Sequence, residues 1–237
     1  MDALLTLTWT AIAIGATHTF LGVDHYLPFV VLGRSNNWSY PKLLIITGLC
    51  GLGHVLSSVV LGVVGIALGH AVGMYEAIEG TRGDLAAWAL MSLGFLYMLY
   101  GIRYAIKNKK HTHIHVHADG EEHTHEHDHH GEHGHTHEPA KKSGKNLFWV
   151  LFIVFVLGPC EPLIPILMYP AASESAFTIF VVSFFFALTT ISVMLLMAFL
   201  LYSGLKFVRI EKLEKFTHTF AGFAILVAGA LIKFAGL

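Results

Sequence analysis

Several residues in the apolar parts of this chain carry side chains able to hold a cation: His18, Asp24, His25, Cys50, His54, Cys160 and Glu161. His18 and His25 are seven apart, two helical turns, so on a helix they stack on one face with Gly22 between them. Cys50 and His54 stand at i and i+4, a spacing that lets two side chains grip one ion. Asp24 and Glu161 read as the carboxylates lying deep in apolar sequence. A carboxylate ionised at mid-membrane costs on the order of a few kcal/mol, so such a group faces a cavity and has a partner. The alternatives are a neutral acid bonded to freed backbone, or a brace where proline breaks the helix. Cys160 sits in Gly158-Pro159-Cys160-Glu161-Pro162, and three roles stay open for it: thiolate ligand, redox thiol, or small hydrophobe packed in the bend. Pro159, Pro162 and Pro165 deny their segment its normal backbone bonds and turn carbonyls toward a cavity.

A second set of ligands is external to the apolar blocks. Twelve of the 17 histidines fall in one stretch: His111, His113, His115, His117, His123, His125, His127, His129, His130, His133, His135 and His137. Many stand at every second position, interleaved with Asp, Glu and Thr. Neutral imidazole is the commonest ligand for Zn, Ni, Co and Cu, and a His-rich tract is a compositional sign of metal binding. The tract is internal, mixed with acids and varied in spacing, unlike a plain terminal affinity tag.

Those side chains must be positioned by helices in lipid. Hydrophobic residues make up 54% of the chain and charged residues 13%, and six long apolar segments emerge. They run over about Leu4–Leu32, Leu43–Ala71, Leu85–Ile106, Leu147–Tyr169, Ala176–Tyr202 and Phe216–Phe234. Lipid offers no partner to an open strand edge, so these segments are expected as helices. Turn signals separate them at Gly33–Asn37, Gly80–Asp84, Pro170–Ser173 and Lys206–Lys215. The start, Met1-Asp2-Ala3, lacks a basic n-region, so the first segment is expected to remain as a membrane helix. Two cysteines are too few for a disulfide framework.

Lys and Arg set the expected orientation. They crowd the connections after segments one, three and five, from Arg34 and Lys42 through Arg103–Lys145 to Lys206–Lys215, while the opposite side holds Arg82 and Lys233. The positive-inside rule then puts both termini outside and the His-rich loop in the cytoplasm of a multi-pass cell (inner) membrane protein. With three helices per half, the halves form an inverted pair, an architecture that places its site near mid-membrane on interrupted helices. Segments one and four match in this way, each with glycine, an acid beside a metal-competent side chain, then proline. The expected fold is therefore all-α: six transmembrane helices as two inverted three-helix repeats, residues 1–106 and 147–237, joined by a loop over 107–146.

His18 with Asp24-His25, and Gly53-His54 on the second helix, resemble the nickel/cobalt transporter superfamily. That family carries His-x4-Asp-His on its first relevant helix, Gly-His on the next, and often a His-rich cytoplasmic loop. This chain departs by one residue, reading His18-x5-Asp24-His25. The stretch Gly158-Pro159-Cys160-Glu161-Pro162 looks instead like the Pro-Cys motif of distant relatives, the membrane proteins that pass reducing equivalents for cytochrome c maturation. Those pair cysteines on symmetry-related helices. Here the first-helix position matching Cys160 is Asp24 or its neighbour, so a redox reading must draw on Cys50.

The expectation is a secondary transporter, not an enzyme, for divalent transition-metal ions. Mixed imidazole, carboxylate and thiolate donors suit Ni and Co, with Zn or Fe as alternatives, better than Mg or Ca. Metal is its substrate, and no prosthetic group is expected. Ligands that shed protons on binding make proton coupling natural, and no ATP-binding P-loop is present. Export is favoured over import, with the loop gathering excess metal and a cytoplasmic metal carrier as a candidate partner beside the lipid bilayer. Nothing in a net charge of -1 calls for nucleic acid. The alternative is a thiol-disulfide electron conduit using Cys50 and Cys160. Deleting His111 to His137 is expected to reduce metal sensitivity while leaving transport in place.

Overall fold

The computed structural model describes residues 2–67, 72–107, 111–116, 122–127, 143–158, 160, 162–163, 165–166, 175–207 and 215–235. The first segment is interrupted. Helix α1 (Asp2–Leu21) ends at Gly22, a single 3-10 turn carries Val23–His25, and α2 (Leu27–Ser35) resumes with Pro28 in its first turn. Proline is tolerated there because a first-turn N–H has no helical acceptor. Gly22 is held closely: a Cβ would fall 2.6 Å from His25 Nδ1 and 3.0 Å from the His18 carbonyl oxygen. The turn after α2 closes through Asn37, at φ 50°, and a bond from Trp38 N–H to the Gly33 carbonyl at 2.9 Å.

The second segment is α3 (Tyr40–Ala67) and the third is α4 (Val72–Lys107). Here the structure corrects the sequence reading, because α4 runs through Gly80–Asp84, where a turn is expected. Its polar side chains find partners while the backbone stays helical. Thr81 Oγ1 donates to the Ala77 carbonyl at 2.8 Å, Glu79 pairs with Arg82 three residues on, and Lys233 meets Asp84 at 2.6 Å. With these partners available along the helix and from Lys233, the helix continues.

Helix α5 (Ser143–Leu157) stops at Gly158, and α6 (Ala176–Phe207) and α7 (Thr217–Ala235) follow. Among the described residues, five helical stretches are long and apolar enough to cross a membrane: Ala3–Leu21, Tyr40–Val64, Ala77–Lys107, Ala176–Leu205 and Thr217–Ala235. A shorter apolar stretch covers Asn146–Leu157. Large apolar side chains such as Trp88, Leu96, Phe180 and Phe184 face outward, as they do on helices whose solvent is lipid. The chain is a multi-pass membrane protein.

One departure from all-α lies in the His-rich loop, where β1 (His111–Val116) and β2 (Glu122–His127) form an antiparallel hairpin. Its register sets His111 opposite His127, His113 opposite His125, and His115 opposite His123. Alternating His–Thr sequence is strand-compatible outside the membrane, where the backbone edges can bond to water. His117, His129, His130, His133, His135 and His137 lie outside the described residues.

Two buried clusters hold the bundle. One joins Phe29, Leu32, Leu43, Cys50, Phe155, Met194, Tyr202 and Ile225. The other joins Ala11, Val55, Cys160, Leu163, Val182 and Phe186. Helices α4 and α7 make the closest seam. A Cβ on Gly94 would overlap the backbone of Leu226, one on Gly222 that of Met98, and one on Gly101 that of Thr219. In lipid, where apolar faces gain little from meeting one another, such backbone approach supplies the packing that joins helices.

Candidate metal centre

The interruption after α1 places His18 and His25 together, their rings 4.7 Å apart and edge-on. His54, from α3, adds a third imidazole 5.1 Å from His25, again edge-on. Each ring turns a nitrogen inward: His18 Nε2, His25 Nε2 and His54 Nε2 are all buried without a hydrogen-bond partner. A buried polar atom left unmet costs about 1–3 kcal/mol, so three in one place point to a group that meets them.

The opposite nitrogens show how these rings are aimed. His25 Nδ1 lies 3.0 Å from the Gly22 carbonyl and 3.2 Å from the Asp24 carboxylate. Both neighbours are acceptors, so Nδ1 carries the proton and Nε2 keeps its lone pair. His54 Nδ1 lies 3.2 Å from the Phe155 carbonyl, and the same assignment follows. That carbonyl accepts from the Gly158 N–H at 3.1 Å and has a second lone pair for His54, for a reason written in the sequence. Its regular i+4 donor would be residue 159, and proline has no N–H. The proline in segment four thus fixes the tautomer of a histidine on another helix.

Cys160 completes the group. One donor atom from each of His18, His54 and Cys160 lies within 4.8 Å of the other two, and Cys160 and His54 are buried. An ion held at about 2.0–2.3 Å from each donor needs them no more than about 4.6 Å apart, so at most a small contraction is required. A cavity of about 310 Å³ is lined by His18, Asp24, His25 and His54, and also by Asp84 and Lys233. Asp84 is well exposed and marks where the cavity nears the surface.

The sequence-derived set therefore divides. His18, His25, His54 and Cys160 come together from three separate segments. Asp24 stands behind His25 as its carboxylate partner. Cys50 does not join them: it is buried with Phe29, Leu43 and Met194 in the other core cluster, although it lies one turn from His54. Both cysteines are free thiols. Glu161 and Pro159 lie outside the described residues. His218 is half-buried among Tyr97, Tyr100 and Tyr104, with Tyr97 Oη 2.8 Å from its Nδ1.

A family model described as the cytochrome C biogenesis protein transmembrane region matches residues 29–231. The chain belongs to this family. No curated protein and no solved structure matches it. The matched stretch of the cytochrome C biogenesis region contains His54 and Cys160, whereas His18, Asp24 and His25 precede it.

The sequence reading missed one charged pair. Outside the apolar segments of that reading, Glu79 is 1% exposed and paired with Arg82 on the same helix. Opposite charges at i and i+3 were the available signal. Reading Gly80–Asp84 as a turn concealed it.

Proposed function

We propose that this member of the cytochrome c biogenesis transmembrane family is a secondary carrier of divalent transition-metal ions, and not an enzyme. The observation that carries the reading is the convergence of His18, His54 and Cys160 donors within 4.8 Å, beside three imidazole Nε2 atoms that have no other partner. Nitrogen and sulfur donors favour Ni, Co, Zn or Fe(II) over Mg or Ca, and the likeness to the nickel/cobalt transporters puts Ni and Co first. Metal is cargo here. In this reading His18, His54 and Cys160 bind the ion, His25 joins them or hands the ion on, and Asp24 orients His25. Glu161, next to Cys160 in sequence, is proposed as a further ligand.

The architecture proposed for that work is six spans in two inverted halves, residues 1–106 and 147–237, around a cytoplasmic His-rich loop, with both termini outside and an inner-membrane location. Helix packing supports it. Exchanging the halves pairs α1 with α5, α3 with α6 and α4 with α7. Under that exchange the observed α1–α6 packing maps onto α5–α3, also observed, and the α3–α6 and α4–α7 contacts map onto themselves. The interruptions at Gly22 and Gly158 correspond as well. Export, proton coupling and a cytoplasmic metal carrier complete the proposal.

The test is metal flux into sealed proteoliposomes, in both orientations, with a panel of divalent ions and an imposed pH gradient. Saturable flux that His54→Ala abolishes and Cys50→Ser preserves is the expected result. Absence of flux for every ion, with protein inserted, overturns the reading.

A second reading has its own support in family membership: a conduit for reducing equivalents through Cys160. With Cys50 in the other core cluster, that route would need Cys160 to exchange with a thiol brought by a partner protein. Loss of a thiol-dependent activity in Cys160→Ser, with metal flux absent in the parent protein, would favour it.

A further inference from the structure

Arg82 reaches across the bundle to the interruption that carries Cys160. Its guanidinium lies inside the apolar span Ala77–Lys107, with its charge balanced by the buried Glu79 one turn earlier. Charged groups as little exposed as these are costly unless each is paired and hydrogen-bonded. Here the remaining donors reach two other elements. Nη2 donates to Ser57 Oγ at 2.8 Å and to the Val156 carbonyl at 2.7 Å, and lies 3.4 Å from the Gly158 carbonyl; Nη1 reaches Ser58 Oγ at 3.5 Å. Those carbonyls belong to the end of α5. Gly158 follows the helix end, and residue 162, four further on, is another proline with no N–H to offer its carbonyl.

Gly158 is the point through which this matters for the site. A Cβ there would sit 3.1 Å from His54 Nδ1, so glycine and imidazole are already in contact. Cys160 follows two residues later. Ser57, which Arg82 also holds, donates to the His54 carbonyl at 2.8 Å. One guanidinium therefore ties the segment before Cys160 to the turn of α3 that bears His54.

We infer that Arg82 is the positioning residue that sets Cys160 against His54 and His18 by gripping the broken end of α5. The inference rests on the reading of those three residues as a cation site. Arginine suits the task and lysine does not: a planar fork serves several acceptors at once, whereas an ammonium on a flexible stem retains the charge pair alone.

Co(II) is the probe, with the full-length protein in detergent and a Cys50→Ser background in which Cys160 is the sole cysteine. The parent should show a thiolate-to-cobalt charge-transfer band together with ligand-field bands, and Cys160→Ser should lose only the former. Arg82→Lys is expected to reproduce the Cys160→Ser spectrum and to bind Co(II) about 10–100-fold more weakly, as outer-sphere losses do. It should also speed alkylation of Cys160 by a maleimide. Should Arg82→Lys not insert, Ser57→Ala removes one acceptor of the fork and is expected to speed alkylation in the same direction. An unchanged charge-transfer band and alkylation rate in whichever variant inserts overturn the assignment. If the parent binds no Co(II), the cation reading fails separately, and the alkylation rates alone decide whether Arg82 positions Cys160.

Discussion

The three imidazoles at the centre differ in what holds their outer nitrogen, and that difference ranks the effects of changing them. His54 is oriented by a backbone carbonyl, which no side-chain substitution at Phe155 removes. His25 is oriented by Gly22 and by Asp24, so part of its aim depends on a replaceable carboxylate. Losing an outer partner of this kind weakens metal affinity by about 10–100-fold. Asp24→Asn is therefore expected to cost metal affinity within that range, measured by calorimetric titration of the detergent-solubilised protein with Ni(II) or Co(II). His54→Ala and His18→Ala should each cost more, because they delete a donor. Cys50→Ser should cost least, since Cys50 packs with Phe29 and Met194 away from the group. A Cys50→Ser loss larger than that of Asp24→Asn would reverse this ranking and point toward thiol chemistry.

At the scale of elements, two interrupted segments and one glycine seam do most of the positioning. Pro159→Ala would give residue 159 an N–H able to close the i+4 bond to the Phe155 carbonyl, in competition with His54. The helix should gain regularity while the site loses His54's orientation. The expected outcome is a protein of equal or greater thermal stability with metal affinity lowered about tenfold or more, read by titration beside a melting curve. Lower stability with unchanged affinity would refute it. The seam predicts the opposite sign. Gly222→Leu would drive a side chain into the backbone around Met98, and overpacking of this kind costs about 1–3 kcal/mol or more. Detergent unfolding should show that loss, and a neutral result would mean that α4 and α7 separate easily. These elements also show what the residues alone revealed. Gly22 and Pro28 announced the first interruption, and Gly158 with its prolines the second, because each removes or relaxes a backbone bond locally. Residues 80–84 misled because glycine, threonine and charge signal a turn, whereas here Thr81 bonds back to the Ala77 carbonyl and Arg82 pairs with Glu79, all on one continuous helix. That His18 and Cys160 would meet was not legible, because their approach depends on α1, α3 and the end of α5 packing together.

For the whole molecule, the proposed function gives the membrane bundle and the His-rich loop separate sets of donors with separate expected roles. The bundle gathers few donors at one buried place, where each lost ligand removes a large share of the affinity. The loop offers many donors in a repeated pattern, so loss of a few leaves others in reach, and its backbone pairs His with His along the hairpin ladder. A store of many equivalent sites changes how much metal is held near the bundle, which alters apparent affinity more than maximal rate. Deleting His111 to His137 and joining the flanks through a Gly/Ser linker should therefore raise the metal concentration for half-maximal flux several-fold, with the maximal rate nearly retained. His54→Ala with the loop intact should show no flux at any concentration, because on this reading translocation runs through the bundle site. Proteoliposome flux measured against metal concentration separates the two parameters directly. A collapse of the maximal rate on deletion, with the protein inserted at normal levels, would mean that the loop takes part in translocation itself and that the bundle site is incomplete without it.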